Sequence, residues 1–108
     1  MVDAAVLKGV KKYLEALTKS GVQVSFGVIF GSYVSGTADP LSDIDLLVVS
    51  HQYDGIVSRE DVKKLWHIAA RTDSRIEPIP CGKIQWNNDV SNAIIEIART
   101  EGQTVTAA

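Results

Sequence analysis

Four consecutive apolar residues, Leu46-Leu47-Val48-Val49, follow directly on Asp43-Ile44-Asp45. A strand with one wet face alternates apolar and polar residues, so an unbroken apolar run closing residues 43–49 marks a strand covered on both faces. Such a strand needs a packing layer on each side of its sheet, and the neighbouring segments supply helices for that purpose. Residues 3–19 place Val6, Val10, Tyr13, Leu14 and Leu17 at helical spacing, with Asp3 as N-cap and Gly21 just beyond the end. Gly9 inside this helix costs roughly 1 kcal/mol relative to alanine.

The period then changes from helical to two. Val22, Val24, Phe26, Val28 and Phe30 alternate with Gln23, Ser25, Gly27 and Ile29, which predicts a strand over 22–30. Residues 31–42 are rich in Gly, Ser, Thr, Asp and Pro and read as a loop with room for a short helical turn. Ser58 with Asp61 forms a capping box for a second long helix, whose stripe is Val62, Leu65, Trp66 and Ala69. A third strand covers about 74–80. Pro78 and Pro80 both lack an N–H on the same lateral side, which puts that strand at a sheet edge. Residues 81–90 read as loop, and 91–101 as a last helix running from Ser91 to Gly102 with Ile94, Ile97 and Ala98 inward. The order is αβ-loop-βαβα, an α/β (α+β) sandwich with helices on a short mixed sheet.

The chemistry gathers where the first two strands meet their loop. Gly31 permits a sharp turn and a close backbone approach to a ligand, and Ser32 adds a hydroxyl beside backbone N–H groups suited to phosphate oxygens. Asp43 and Asp45 are two apart on a strand and share a face, while Ile44, Leu46 and Val48 point the other way. Adjacent like charges are unfavourable unless a cation lies between them, and magnesium is commonly held by one or two carboxylates with water and substrate phosphates. Glu77, in Arg75-Ile76-Glu77-Pro78, alternates with Ile76 and is the candidate third carboxylate.

Phe30-Gly31-Ser32-Tyr33 after a strand, Gly36 in the loop, and Ser42 ahead of Asp43-Ile44-Asp45 together resemble the signature of the DNA polymerase beta-like nucleotidyltransferase superfamily. The length is most similar to its minimal nucleotidyltransferases, which include antitoxins paired with HEPN-domain toxins. The resemblance covers about residues 22–80. It implies a polymerase beta-like palm with a mixed-sheet core, two Mg2+ ions, and transfer of a nucleoside monophosphate from ATP or another nucleoside triphosphate to an acceptor hydroxyl. Carried over by position, Gly31 and Ser32 hold the triphosphate and Asp43 and Asp45 bind metal. Glu77 completes the metal site and helps deprotonate the acceptor, standing where the family commonly has aspartate. The acceptor is expected on a helical HEPN-type partner, and self-association is left open. The alternative is a non-catalytic antitoxin that neutralises such a partner by covering it.

Other features narrow the field. The chain has 108 residues and 45% hydrophobic content, enough for one domain over 1–108 with its own core. Net charge is −2, with no basic stripe of the kind that grips a nucleic-acid backbone. A template-directed polymerase is therefore disfavoured, and the absence of a helical second domain disfavours a small-molecule acceptor. No apolar run approaches the ~20 residues of a membrane span, and the start lacks the apolar core of a secretory signal. With Cys81 the single cysteine, the expectation is a soluble cytoplasmic protein without an internal disulfide. Cys81 reads as a buried or half-buried packing residue, and His51 and His67 as surface residues without partners at zinc-ligand spacing. Trp66 reads as core. Trp86 reads as loop packing or a contact to a base or partner, and Arg71, Arg75 and Lys83 as triphosphate counter-charges or ordinary surface charge.

Overall fold

The computed structural model describes residues 3–36, 42–89 and 92–106. Helix α1 (Ala4–Lys19) starts at Asp3, whose carboxylate accepts from the Ala5 N–H at 2.7 Å. Its buried stripe is Val6, Val10, Tyr13, Leu14 and Leu17, as the spacing predicts. Gly9 has a packing reason: a Cβ there would run into the Asp73 carboxylate.

Strand β1 is Phe26–Phe30, shorter than the expected 22–30. Val22 and Val24 pack into the same layer as Ile29, whereas Phe26, Val28 and Phe30 face the opposite layer. A continuous strand would put all the even-numbered residues on one side, so the alternation breaks between Val24 and Phe26. The cause lies in the hydrogen bonds. The Val22 N–H closes onto Leu17 O, the Val24 N–H onto Val22 O, and the Gln23 N–H onto the Gln52 side chain. This segment therefore finishes the α1 turn, and the ladder begins only afterwards.

Strand β2 (Ile44–Val49) runs antiparallel to β1, with Phe30 opposite Asp45 and Phe26 opposite Val49. Strand β3 (Ile76–Cys81) is parallel to β2, and β4 (Gln103–Val105) is antiparallel to β1. The sheet order is β3-β2-β1-β4, so the proline-bearing β3 is an edge strand as expected. One face carries Ile29, Ile44, Leu46, Val48 and Ile76 under α1 and the helix that bears Leu65, Ile68 and Ala69. The other carries Val28, Phe30, Leu47, Val49 and Cys81 under the helix that bears Ile95 and Ala98. The apolar run of β2 is thus buried from both sides.

Helix α2 (Ser32–Ser35) is one turn between β1 and the loop, and residues 37–41 of that loop lie outside the described residues. Helix α3 (Arg59–Thr72) opens on the expected capping box, with Asp61 N to Ser58 Oγ at 3.1 Å and Ser58 N to Asp61 Oδ2 at 3.0 Å. Its inward residues are Leu65, Ile68 and Ala69. Trp66, expected in the core, is 44% exposed. The inward stripe runs through Leu65, Ile68 and Ala69, which leaves Trp66 on the outer side of the helix, while the Tyr13 hydroxyl donates to Leu65 O at 2.9 Å on the inner side.

The C-terminal third departs most from the expectation. Helix α4 (Lys83–Asn88) occupies part of the predicted 81–90 loop. It has no buried stripe of its own and is held from outside, with the Ile84 N–H donating to Asp54 Oδ1 at 3.0 Å. Helix α5 (Ala93–Glu101) is capped by Asn92, whose side chain accepts from the Ile94 and Ile95 N–H groups; Ser91, the expected start, lies outside the described residues. Ile95 and Ala98 point inward. Ile94 and Ile97, expected inward, are exposed, because the helix sets down one residue further round than the isoleucine spacing implied. Strand β4, beyond the last predicted element, exists through its pairing with β1 and buries Val105. Among the described residues no helix is long and apolar enough to cross a membrane.

Candidate active site

The two β2 pairings bring the predicted site residues together. Asp43 immediately precedes β2 and is exposed, and Asp45 is the second residue of the strand, partly buried on the face shared with Leu47 and Val49. In the parallel ladder Asp45 stands directly opposite Glu77. Residues paired in register project to the same face, so β2 and β3 set Asp45 and Glu77 side by side, and Asp43, just ahead of β2, joins them at that end of the sheet.

Their electrostatics follow from that crowding. Burial raises the Asp45 pKa, and the Asp43 charge raises it further, while a hydrogen bond with Glu77 acts the other way. The Glu77 pKa is also raised, first by loss of solvent, then by hydrogen bonding and charge from Asp43 and by Asp45. Carboxylates within hydrogen-bonding reach of one another are satisfied by a shared proton or by a cation. Among the described residues no three His, Cys, Asp or Glu side chains form a ready-made metal cage. The donor chemistry nonetheless fits magnesium, which takes hard oxygen ligands and leaves most of its shell to water and phosphate oxygens.

Gly31 closes the site from the β1 side. It follows Phe30, the partner of Asp45, and its φ is +80°, a conformation costly for any other residue. A Cβ on Gly31 would also strike Asp45 Oδ2. The position therefore excludes a side chain twice over, once through the backbone and once through the carboxylate resting on it. Ser32 opens α2, and its side chain lies outside the described residues.

The other residues singled out from the sequence are engaged elsewhere. Arg75 is bound to Asp73 through Nε to Oδ1 at 3.0 Å and a second guanidinium nitrogen to Oδ2 at 2.7 Å, which holds the Asp73 carboxyl below its ordinary range. Arg71 is exposed in the last turn of α3. Lys83 is exposed beyond the far end of β3, at the opposite end of that strand from Glu77. Trp86 packs edge to face on Phe26, 5.6 Å between centroids, with the Arg99 guanidinium 5.5 Å from its ring. Its role is packing, on α4 rather than in a loop. Cys81 is buried, and loss of solvent pushes its thiol up to about 11, which suits packing and not nucleophilic attack. His51 and His67 are exposed.

A model of the nucleotidyltransferase domain matches residues 7–99. The chain belongs to the nucleotidyltransferase domain family. Gly31, Ser32, Asp43, Asp45 and Glu77 all fall inside the matched span. No curated protein sequence matches the chain significantly. Solved structures share the domain's fold at 18% identity. One is a toxin–antitoxin with AMP-PNP, with a TM-score of 0.64 over 94% of this chain and 73% of that one. Another is a Sulfolobus solfataricus protein provisionally assigned as a nucleotidyltransferase, with a TM-score of 0.65 over 93% and 78%. A third is a toxin–antitoxin MntA-HpeT mutant in which two aspartates two positions apart became glutamate, with a TM-score of 0.62 over 90% and 72%. The mixed sheet with helices on both faces is thus the nucleotidyltransferase fold.

Proposed function

We propose that this nucleotidyltransferase domain transfers AMP from Mg-ATP to a hydroxyl group on a partner protein, with Asp43, Asp45 and Glu77 as the metal-binding and catalytic carboxylates and Gly31-Ser32 at the triphosphate. The observation that carries the reading is the β2–β3 register, which sets Glu77 beside Asp45 where Gly31 leaves the backbone bare.

Bound magnesium would neutralise the carboxylates and polarise the phosphates of the donor. The chain's own contributions are distinct. Asp43 and Asp45 offer oxygen donors from the end of one strand. Gly31 lets the triphosphate approach the backbone closely. Glu77, set opposite Asp45 by the parallel register, accepts the proton of the acceptor hydroxyl. The acceptor oxygen bonds to the α-phosphorus, the bond from that phosphorus to the bridging oxygen breaks, and pyrophosphate leaves with the electron pair.

A partner protein as acceptor is supported by the fold's likeness to toxin–antitoxin structures, one with AMP-PNP and one altered at two aspartates with the spacing of Asp43 and Asp45. A helical HEPN-type toxin is the partner class we assign. The test is incubation with α-phosphate-labelled ATP, Mg2+ and the candidate partner. Label on the partner, lost with Asp43→Asn/Asp45→Asn, is expected. A folded protein that binds no nucleotide and transfers no label would sink the enzyme reading, and full neutralisation by the double variant would make it an antitoxin by binding alone.

A further inference from the structure

Asp43 stands outside the β2 ladder, so no strand pairing of its own holds it. The backbone on either side of it is nevertheless anchored. Ahead of it, the Tyr33 hydroxyl donates to Ser42 O at 3.2 Å. Behind it, the Ile44 N–H donates to Arg75 O at 2.7 Å. These two anchors lie close together, because the Arg75 guanidinium is near enough to the Tyr33 side chain to interact with it electrostatically. Arg75 is oriented by its two-point contact with Asp73, and Asp73 in turn lies against the bare Cα of Gly9 on α1.

We infer that Tyr33 and Arg75 are positioning residues: together they fix the backbone that aims Asp43 at the shared carboxylate site. The chain of contacts runs from α1 through Asp73, Arg75 and Tyr33 to Ser42, and ties α2 to the entry of β2 across residues 37–41. Metal ligands depend on such outer contacts for their aim, and losing one typically lowers metal affinity about 10–100-fold. The inference rests on the metal reading given above, and its test separates the two.

The test uses Tyr33→Phe, which removes one oxygen and keeps the ring in its packing, with Arg75→Met and the double variant beside it. Binding of Mn2+ alone, followed by the loss of the free-ion electron paramagnetic resonance signal, is expected to weaken at least about fivefold in Tyr33→Phe. The double variant is expected to be no weaker than the weaker single, since both break one chain. Amide hydrogen exchange in the metal-free protein reads the same anchor without metal, and faster exchange at Ile44 is expected in each single variant. Wild-type Mn2+ affinity and unchanged exchange in Tyr33→Phe would overturn the inference, as would fully additive losses in the double variant. Wild-type protein that binds no Mn2+ would overturn the metal reading, and the exchange measurement would still decide whether Tyr33 holds this backbone.

Discussion

Replacing Gly31 with alanine should separate two costs that are usually confounded. The residue sits at φ +80°, and Gly55, past the other end of β2, sits at +87°. An alanine in this left-handed region costs roughly 1–2 kcal/mol at either position. The surroundings differ. A Cβ at Gly55 meets nothing within 4 Å, whereas one at Gly31 collides with Asp45 Oδ2 and lies 3.2 Å from its Cγ. The Asp45 carboxylate can rotate aside, so the extra cost to folding at Gly31 is small, and what is lost is the position of Asp45. Both variants should therefore unfold at a similar reduced temperature, lower by about 4–8 °C per kcal/mol for a domain of this size. Gly31→Ala alone should lose at least about tenfold in Mn2+ and Mg-nucleotide affinity. Thermal unfolding followed by circular dichroism, with calorimetric titration of Mg2+ and a non-hydrolysable ATP analogue, reads both quantities. Gly31→Ala with wild-type affinity, or Gly55→Ala with the same loss of binding, would refute the argument that Gly31 is small for the sake of Asp45.

Three further outcomes follow from the same geometry. Asp45→Asn should raise the unfolding temperature of the metal-free protein at pH 7, because burial and the Asp43 charge raise the Asp45 pKa. The sign is set by that direction: a carboxyl with a raised folded pKa destabilises as pH rises through that pKa, so the gain should vanish below the ordinary carboxylate range. Added Mg2+ should raise the melting temperature of the wild type and not of this variant. Gly9→Ala, which in an unobstructed helix gains roughly 1 kcal/mol, should instead destabilise in urea melts, because the new methyl meets an Asp73 carboxylate held by Arg75. Cys81 should stay unlabelled by maleimide at pH 7 in the native state and react on denaturation, since it is buried and its thiol is pushed up to about 11; rapid native labelling would contradict its packing.

Features with a local cause were legible in the residue order. The Asp3 cap and apolar stripe of α1, the Ser58–Asp61 capping box and the two-sided apolar run of β2 all rest on contacts within a turn or on the period of a strand. The joined Gly31-Ser32 and Asp43/Asp45 motif was legible for the same reason, since one loop connects its halves. The partnership of Glu77 with Asp45 was a candidate from alternation alone, and only the parallel register of β2 and β3 set the two opposite each other. Tertiary packing also decided which side chains face inward. Helix α3 turns Leu65, Ile68 and Ala69 inward and leaves Trp66 outside, and α5 buries Ile95 in place of Ile94 and Ile97. Helix α4 and strand β4 carry little signal of their own, because one is held by Asp54 and Phe26 and the other by β1. The brace of Tyr33, Arg75 and Asp73 around Asp43 belongs to the same class. Tyr33 on α2 and the Asp73–Arg75 pair between α3 and β3 come from separate segments, and contacts between distant segments leave no period or spacing in a sequence. What the residue order determined was the chemistry available at the end of the sheet; the fold decided which groups share it and how firmly each is held.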